Sequence, residues 1–219
     1  LFLHELPEIA AGIDRLTATN PVFAAVDRSR FEWRRRDPGF AGLVWMILGQ
    51  QVSTQAANAM WAKLETRLGT VEPAPFLGLD DSALSMAGFS RQKMRYARAL
   101  ALTLIADPPF LARLTDEDDM AVVRTLTSLP GIGTWSAEIY LMFCLGRPDI
   151  WPAGDLGIVL GMQSLLQLPA RPKPAALIAH AEDWRPYRSA AALLVWAHYR
   201  ETAAARRKEQ SRSRAGSLR

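Results

Sequence analysis

Apolar residues recur at helical spacing through most of this 219-residue chain, and nowhere does period-two alternation persist beyond a few residues. Such a chain buries its apolar stripes only by packing helices on one another, so the expected fold class is all-α. The punctuation agrees. Asp37-Pro38 supplies an N-cap and an N1 proline ahead of Phe40, Leu43, Val44, Ile47 and Leu48. Gly49-Gln50-Gln51 interrupts that stripe, and Ser53 or Thr54 can cap a second helix carrying Ala56, Ala57, Met60 and Leu64, which Gly69 ends. Pro73 and Pro75 mark a loop. Gly88-Phe89-Ser90 precedes a helix with Met94, Ala97, Leu100, Ala101 and Leu104 on one face, and Asp107-Pro108-Pro109 stops it. Thr115-Asp116-Glu117-Asp118 reads as a capping box with Asp in place of Glu, opening a helix to Ser128. Asp183-Trp184-Arg185-Pro186 starts a final helix through Leu193, Leu194, Trp196 and Ala197.

Composition excludes several classes of protein. No apolar run reaches the length that spans a bilayer, and no secretory pattern opens the chain, so an intracellular protein with no membrane partner is expected. The first residue is Leu1 rather than Met, which leaves the native N-terminus open. The single cysteine, Cys144, rules out a disulfide framework within the chain and any cluster that needs four thiolates. It sits in an apolar run and reads as a buried small side chain, and His4, His180 and His198 show no metal-ligand spacing with it. The net charge of +4 is concentrated at the C-terminus: residues 205–219 carry +5, so the other 204 sum to −1. That segment is rich in Ser, Ala and Gly and reads as a disordered basic tail, for which a solvated tail and a DNA-tethering arm both fit. Arg34-Arg35-Arg36 and the basic residues from Arg91 to Arg98 fit phosphate contacts or solvated faces equally.

Two features carry chemistry. Leu129-Pro130-Gly131-Ile132-Gly133 is a tight turn between helices, and its glycines let a backbone approach an anion closely. The amides of Gly131, Gly133 and Thr134 would open the next helix, where the dipole also favours phosphate. A plain glycine turn between packed helices is the alternative. Twenty-two residues past Gly133 comes an acid, Asp155, flanked by Gly154 and Gly157. It fits a helix N-cap, a catalytic carboxylate, or both.

The string LPGIGTWSA, residues 129–137, resembles the helix-hairpin-helix element of the DNA glycosylase superfamily that includes endonuclease III. Trp151-Pro152-Ala153-Gly154-Asp155-Leu156-Gly157 resembles that superfamily's catalytic-Asp segment. Ile47-Leu48-Gly49-Gln50-Gln51-Val52-Ser53 and Trp184-Arg185-Pro186-Tyr187-Arg188-Ser189 are similar to segments of its 3-methyladenine DNA glycosylase II branch. The likeness runs from about residue 37 to residue 200, in order, and has the form of the short members without an N-terminal β domain.

The resemblance implies two helical subdomains with a DNA-binding cleft between them. One is expected at 37–147, with the helix-hairpin-helix at about 118–145. The other combines 1–36 with 148–204 and carries Asp155, the implied catalytic acid. Gly131, Ile132, Gly133, Thr134 and Ser136 are the implied DNA contacts. Main-chain oxygens of Thr127, Leu129 and Ile132 are an implied monovalent-cation site, with Na⁺ or K⁺ structural and no other cofactor. Relatives that also cut the strand carry a lysine where this chain has Trp135, so base release without strand cutting is expected. The expected substrates are alkylated, cationic purines such as 3-methyladenine and 7-methylguanine in double-stranded DNA, because an indole face attracts a cation. Trp135 and Tyr187 are the implied aromatic pocket, with Ile139 where some relatives carry Tyr. Gln50 and Gln51 form the region that fills the gap left by a flipped base, Gln51 being the candidate wedge. A glycosylase for neutral lesions (hypoxanthine, ethenoadenine, oxidised bases) and a non-catalytic damage-binding module remain alternatives. A monomer is expected, cytoplasmic in a bacterium and nuclear in a eukaryote.

Overall fold

The computed structural model describes residues 1–31 and 33–216, with side chains for all of these except 30 and 206–216. Among the described residues every regular element is helical, apart from an isolated antiparallel bridge between Phe2 and Arg34. In chain order the helices are α1 (Pro7–Thr19), α2 (Phe40–Gly49), α3 (Thr54–Leu68), α4 (Pro73–Leu77), α5 (Asp81–Ala87) and α6 (Arg91–Ala106). They continue with α7 (Phe110–Arg113), α8 (Asp119–Thr127), α9 (Thr134–Tyr140), α10 (Leu156–Leu165), α11 (Pro174–Ala181) and α12 (Arg188–Gly216). No described helix is long and apolar enough to cross a membrane.

Where several cap-forming residues run together, the structure chooses differently from the sequence expectation. α2 begins at Phe40 with Gly39 as its N-cap, and Asp37 instead accepts the Gly39 amide at 2.6 Å, closing a turn before the helix. The cap of α8 is Asp118, which accepts from the Ala121 amide at 2.8 Å, so the expected Thr115 capping box lies ahead of the helix. Pro73 and Pro75, expected to mark a loop, both sit in the first turn of α4, where a missing N–H costs little. α12 begins at Arg188, behind a single 3₁₀ turn at Glu182–Trp184. Its backbone stays helical through Gly216, against the disorder expected from residue 205. Ala, Arg, Lys, Glu and Gln are strong helix formers, and a helix already nucleated by packing extends at little cost. Residues 217–219 lie outside the described residues, as do the basic side chains from 206 on which the tethering reading rests.

The chain divides into two compact units, Arg35–Leu145 and Leu1–Arg34 with Gly146–Arg219, where the expected joints were at 36/37 and 147/148. In Arg35–Leu145, α2 is the central element: Phe40, Leu43, Val44, Met46, Ile47 and Leu48 are all at most 3% exposed. α3, α6 and α9 pack around it, and the rings of Phe40, Phe76 and Phe89 follow one another at 5.4 and 5.6 Å. Each such apolar side chain contributes about 1.5–3 kcal/mol by leaving water. Cys144 lies in this core, where burial, then the nearby Asp37 charge, push its thiol well above the usual range, so it is no nucleophile at neutral pH.

In the other unit, α1 and α10 pack on the first half of α12, whose residues Ala190–Ala197 are buried. Phe23, Trp184 and Trp151 interlock edge to face, at 5.0 and 5.2 Å between successive ring centres. His198 on α12 stands 2.8 Å from the Ser164 hydroxyl of α10, and burial holds its pKa below the ordinary 6.5, with the Glu201 carboxylate opposing in part. The unfolded chain therefore takes up this proton before the folded one does. The stability from neutral His198 is fully present above pH ~6.5 and is lost as the pH falls through the lowered folded value. We expect the melting temperature to drop between about pH 7.5 and about pH 5.5, and His198→Gln to flatten part of that slope. An unaltered slope in the variant would contradict this assignment.

Candidate active site and nucleic-acid interface

α8 and α9 are joined by a six-residue turn, 128–133, and the two helices pack against each other. Gly131 has φ +82°, the left-handed region, and an added Cβ would stand 2.1 Å from Cδ2 of Tyr96 on α6. Only glycine fits there. Gly133 differs: its φ is −96°, ordinary extended backbone, and nothing lies within 4 Å of where a Cβ would be. It is exposed beside exposed Thr134, so the α9 N-terminus is open to an incoming anion.

Gln50 braces this turn from inside. Its amide nitrogen donates to the Gly131 carbonyl at 2.8 Å and lies 3.3 Å from the Ser136 hydroxyl. Gln51 follows as an exposed residue with φ +58°, an uncommon conformation for a side chain of its kind. Gln51, Gln92 and Lys93 line a hollow of about 450 Å³ together with Thr127, Leu129, Ile132 and Gly133 of the hairpin. Lys93 donates to the Leu48 carbonyl at 2.7 Å, and its pKa is lowered by burial.

Asp155 is the N-cap of α10, accepting from the Ile158 amide at 3.0 Å. The same oxygen, Oδ1, accepts from the Trp196 indole N–H at 2.8 Å. The segment leading to it is fastened to the start of α12. The Ser189 hydroxyl donates to the Arg147 carbonyl at 2.7 Å and accepts from the Ile150 amide at 3.0 Å. Arg188 forms a fork on Asp149 at 2.8 and 3.0 Å, a paired geometry stronger than a single contact, and Arg185 adds a third bond at 2.7 Å. Asp155 is thereby held from both ends of its loop.

The residues expected at the site fall into three sets. Gly131, Gly133 and Thr134 occupy the open turn, while Ile132 is 4% and Ser136 2% exposed, so these two face inward and stabilise the hairpin. Trp135 is half-buried and Ile139 is buried, both on α9. Tyr187 is half-buried against Gly12 of α1, in the same unit as Asp155. The arginines beside α2 are committed within the protein: Arg35 donates to the Cys144 carbonyl at 2.7 Å, and Arg36 stacks 4.0 Å from the centre of the Trp45 ring. Arg34 lies over the Phe2 ring at 4.9 Å. Among the described residues no group of three or more His, Cys, Asp or Glu side chains could hold a metal ion. Trp196 was missed by sequence reading because it sits in an apolar stretch and reads as core.

Residues 44–186 match the family described as HhH-GPD superfamily base excision DNA repair protein. DNA-3-methyladenine glycosylase 1 of Schizosaccharomyces pombe is 30% identical over 169 residues, covering 74% of this chain and 72% of the relative. A probable bifunctional transcriptional activator/DNA repair enzyme AlkA of Mycobacterium tuberculosis is 46% identical over 161 residues, where the chain spans only 31% of that protein. The solved structure of the S. pombe 3-methyladenine DNA glycosylase in complex with abasic DNA superposes with a TM-score of 0.75 at 25% identity, covering 85% of this chain and 95% of that one. A shared helical scaffold, an exposed glycine turn between α8 and α9 and a braced acid at the expected spacing thus coincide with sequence similarity over most of the length, and the chain belongs to the HhH-GPD superfamily of base excision DNA repair proteins.

Proposed function

We propose that this protein is a DNA glycosylase that hydrolyses the bond between deoxyribose and an alkylated, cationic purine in double-stranded DNA, leaving an intact abasic strand. The observation that carries the reading is Asp155, a carboxylate fixed by an indole and a helix N-terminus in a base excision repair family. As the glycosidic bond breaks, positive charge builds on the sugar, and a carboxylate beside C1′ stabilises it more in the transition state than in the ground state. Asp155 also serves to orient the attacking water. A cationic purine leaves as a neutral base, so little acid catalysis is required of the protein. The damaged base must first leave the stack, at a cost of a few kcal/mol, and exposed Gln51 on its left-handed turn is the side chain proposed to fill the gap. Open amides at Gly133 and Thr134 are proposed to hold the phosphate backbone, which positions the enzyme without reading sequence. Trp135 stands where an imine-forming lysine would be needed, so no covalent intermediate is available at that position. The name of the S. pombe relative, a DNA-3-methyladenine glycosylase, supports the substrate class.

Duplex DNA treated with a methylating agent should release 3-methyladenine and 7-methylguanine, while hypoxanthine and 8-oxoguanine duplexes release far less. Borohydride added during turnover should trap no protein–DNA adduct, and the strand should break only after alkali. Preferential release of the neutral lesions overturns the substrate class, and a trapped adduct overturns the hydrolytic mechanism.

A further inference from the structure

Trp196 has a structural reason to be in the α12 core, since it is 9% exposed and packs on Trp33 with ring centres 6.2 Å apart. Packing alone does not require its N–H to point at a carboxylate. The indole nitrogen nevertheless lies 2.8 Å from Asp155 Oδ1, the oxygen that also caps α10. Two donors on one oxygen hold the plane of the carboxylate, and both are charge-assisted bonds, stronger than neutral ones. Gly157 makes the approach possible: a Cβ there would lie 2.9 Å from Trp196 Cδ1, 3.2 Å from its Nε1 and 3.0 Å from Asp155 Oδ1. Any side chain at 157 would press on the pair. Behind the indole, Trp33 is itself flanked by Phe31, ring centres 5.5 Å apart, and by the Arg200 guanidinium, 5.5 Å from the ring centre. The N-terminal segment thus backs the indole that bonds the acid.

We propose that Trp196 is a positioning residue for Asp155. It acts through its N–H to aim the carboxylate at the cationic sugar, and Gly157 is the gap that admits it. The inference rests on the glycosylase reading above. Its consequence is selective: the N–H should matter for recognising positive charge at the sugar and little for holding DNA.

The test replaces only that N–H. Incorporating 3-benzothienylalanine at position 196 substitutes sulfur for N–H at nearly constant shape, so the core packing is kept. Two duplexes are then compared as ligands, one with a neutral tetrahydrofuran abasic analogue and one with a pyrrolidine analogue, whose ring nitrogen is cationic. Wild-type protein should prefer pyrrolidine, and the sulfur analogue should lose that preference by roughly tenfold, the scale of a hydrogen bond to a charged group, with tetrahydrofuran affinity unchanged. Single-turnover release of 7-methylguanine at saturating enzyme should slow by a similar factor, with the half-saturating concentration unchanged. Gly157→Ala should shift both readouts in the same direction. An unchanged pyrrolidine preference in the sulfur analogue, or equal weakening toward both duplexes, overturns the proposal and leaves Trp196 as core. The binding ratio needs no turnover, so it tests Trp196 separately from the reaction itself, which wild-type release of 7-methylguanine tests.

Discussion

Asp155→Asn should lower single-turnover release of 7-methylguanine by at least ~10²-fold, the scale found when a transition-state electrostatic partner is removed. Affinity for an abasic-site duplex should stay within a few-fold of wild type. Asparagine is the informative replacement because it caps helices about as well as aspartate. Its side-chain oxygen can still accept from the Ile158 amide and the Trp196 indole, the two bonds that Oδ1 of Asp155 accepts. The fold is therefore kept while the charge is removed. Asp155→Ala should add a loss of about 1 kcal/mol in stability, from the missing cap. If Asp155→Asn releases base at the wild-type rate, Asp155 is a cap and nothing more.

Gly131→Ala should destabilise the protein by about 2–5 kcal/mol. Placing an L side chain in the left-handed region costs ~1–2 kcal/mol, and a methyl that overlaps the half-buried Tyr96 ring adds an overpacking cost of ~1–3 kcal/mol. Both apply, since φ is +82° and the new carbon would stand 2.1 Å from Tyr96 Cδ2 and 2.2 Å from Cγ. Duplex affinity should fall with it, because the turn presents the amides proposed to hold phosphate. Gly133→Ala is the control. Its φ of −96° is ordinary and nothing lies within 4 Å of the new Cβ, so stability should stay within ~0.5 kcal/mol. The methyl would nevertheless occupy the approach to the α9 N-terminus and weaken binding to damaged and undamaged duplex alike. Thermal melts and salt-dependent binding of both variants separate the hairpin's role in folding from its role at the interface. Gly133→Ala binding as tightly as wild type would refute the phosphate assignment.

The helices that sequence reading placed best are those with long apolar stripes, such as α6, where Ser90 caps the helix and Asp107 ends it. Periodicity and capping act over a few residues, and a one-dimensional pattern carries them. Helix starts were misjudged where candidates crowd together: Asp37 closes a turn onto Gly39, and Asp118 is selected over the earlier cap at Thr115. Each of these groups can bond a local amide, and only packing of the finished helix decides which one does.

At the site, residue types were legible and partners were not. Gln50 stood out as a polar break in an apolar stretch, yet its amide bonds a carbonyl 81 positions away. Trp196 was hidden because a tryptophan in an apolar helix reads as core. The one signal that pointed further was that a buried indole N–H needs an acceptor. Its acceptor lies 41 positions earlier.

Sequence alone therefore determined the all-α class, the glycine turn and the acid 22 residues beyond it, because helix period, turn chemistry and motif spacing are all short-range properties. Tertiary structure alone decided which glycine is obligatory, that Ser136 and Ile132 turn inward, and that an indole on α12 holds Asp155. Those outcomes depend on packing between segments distant in the chain, where a hydrogen bond forms only if two surfaces meet within about 3 Å.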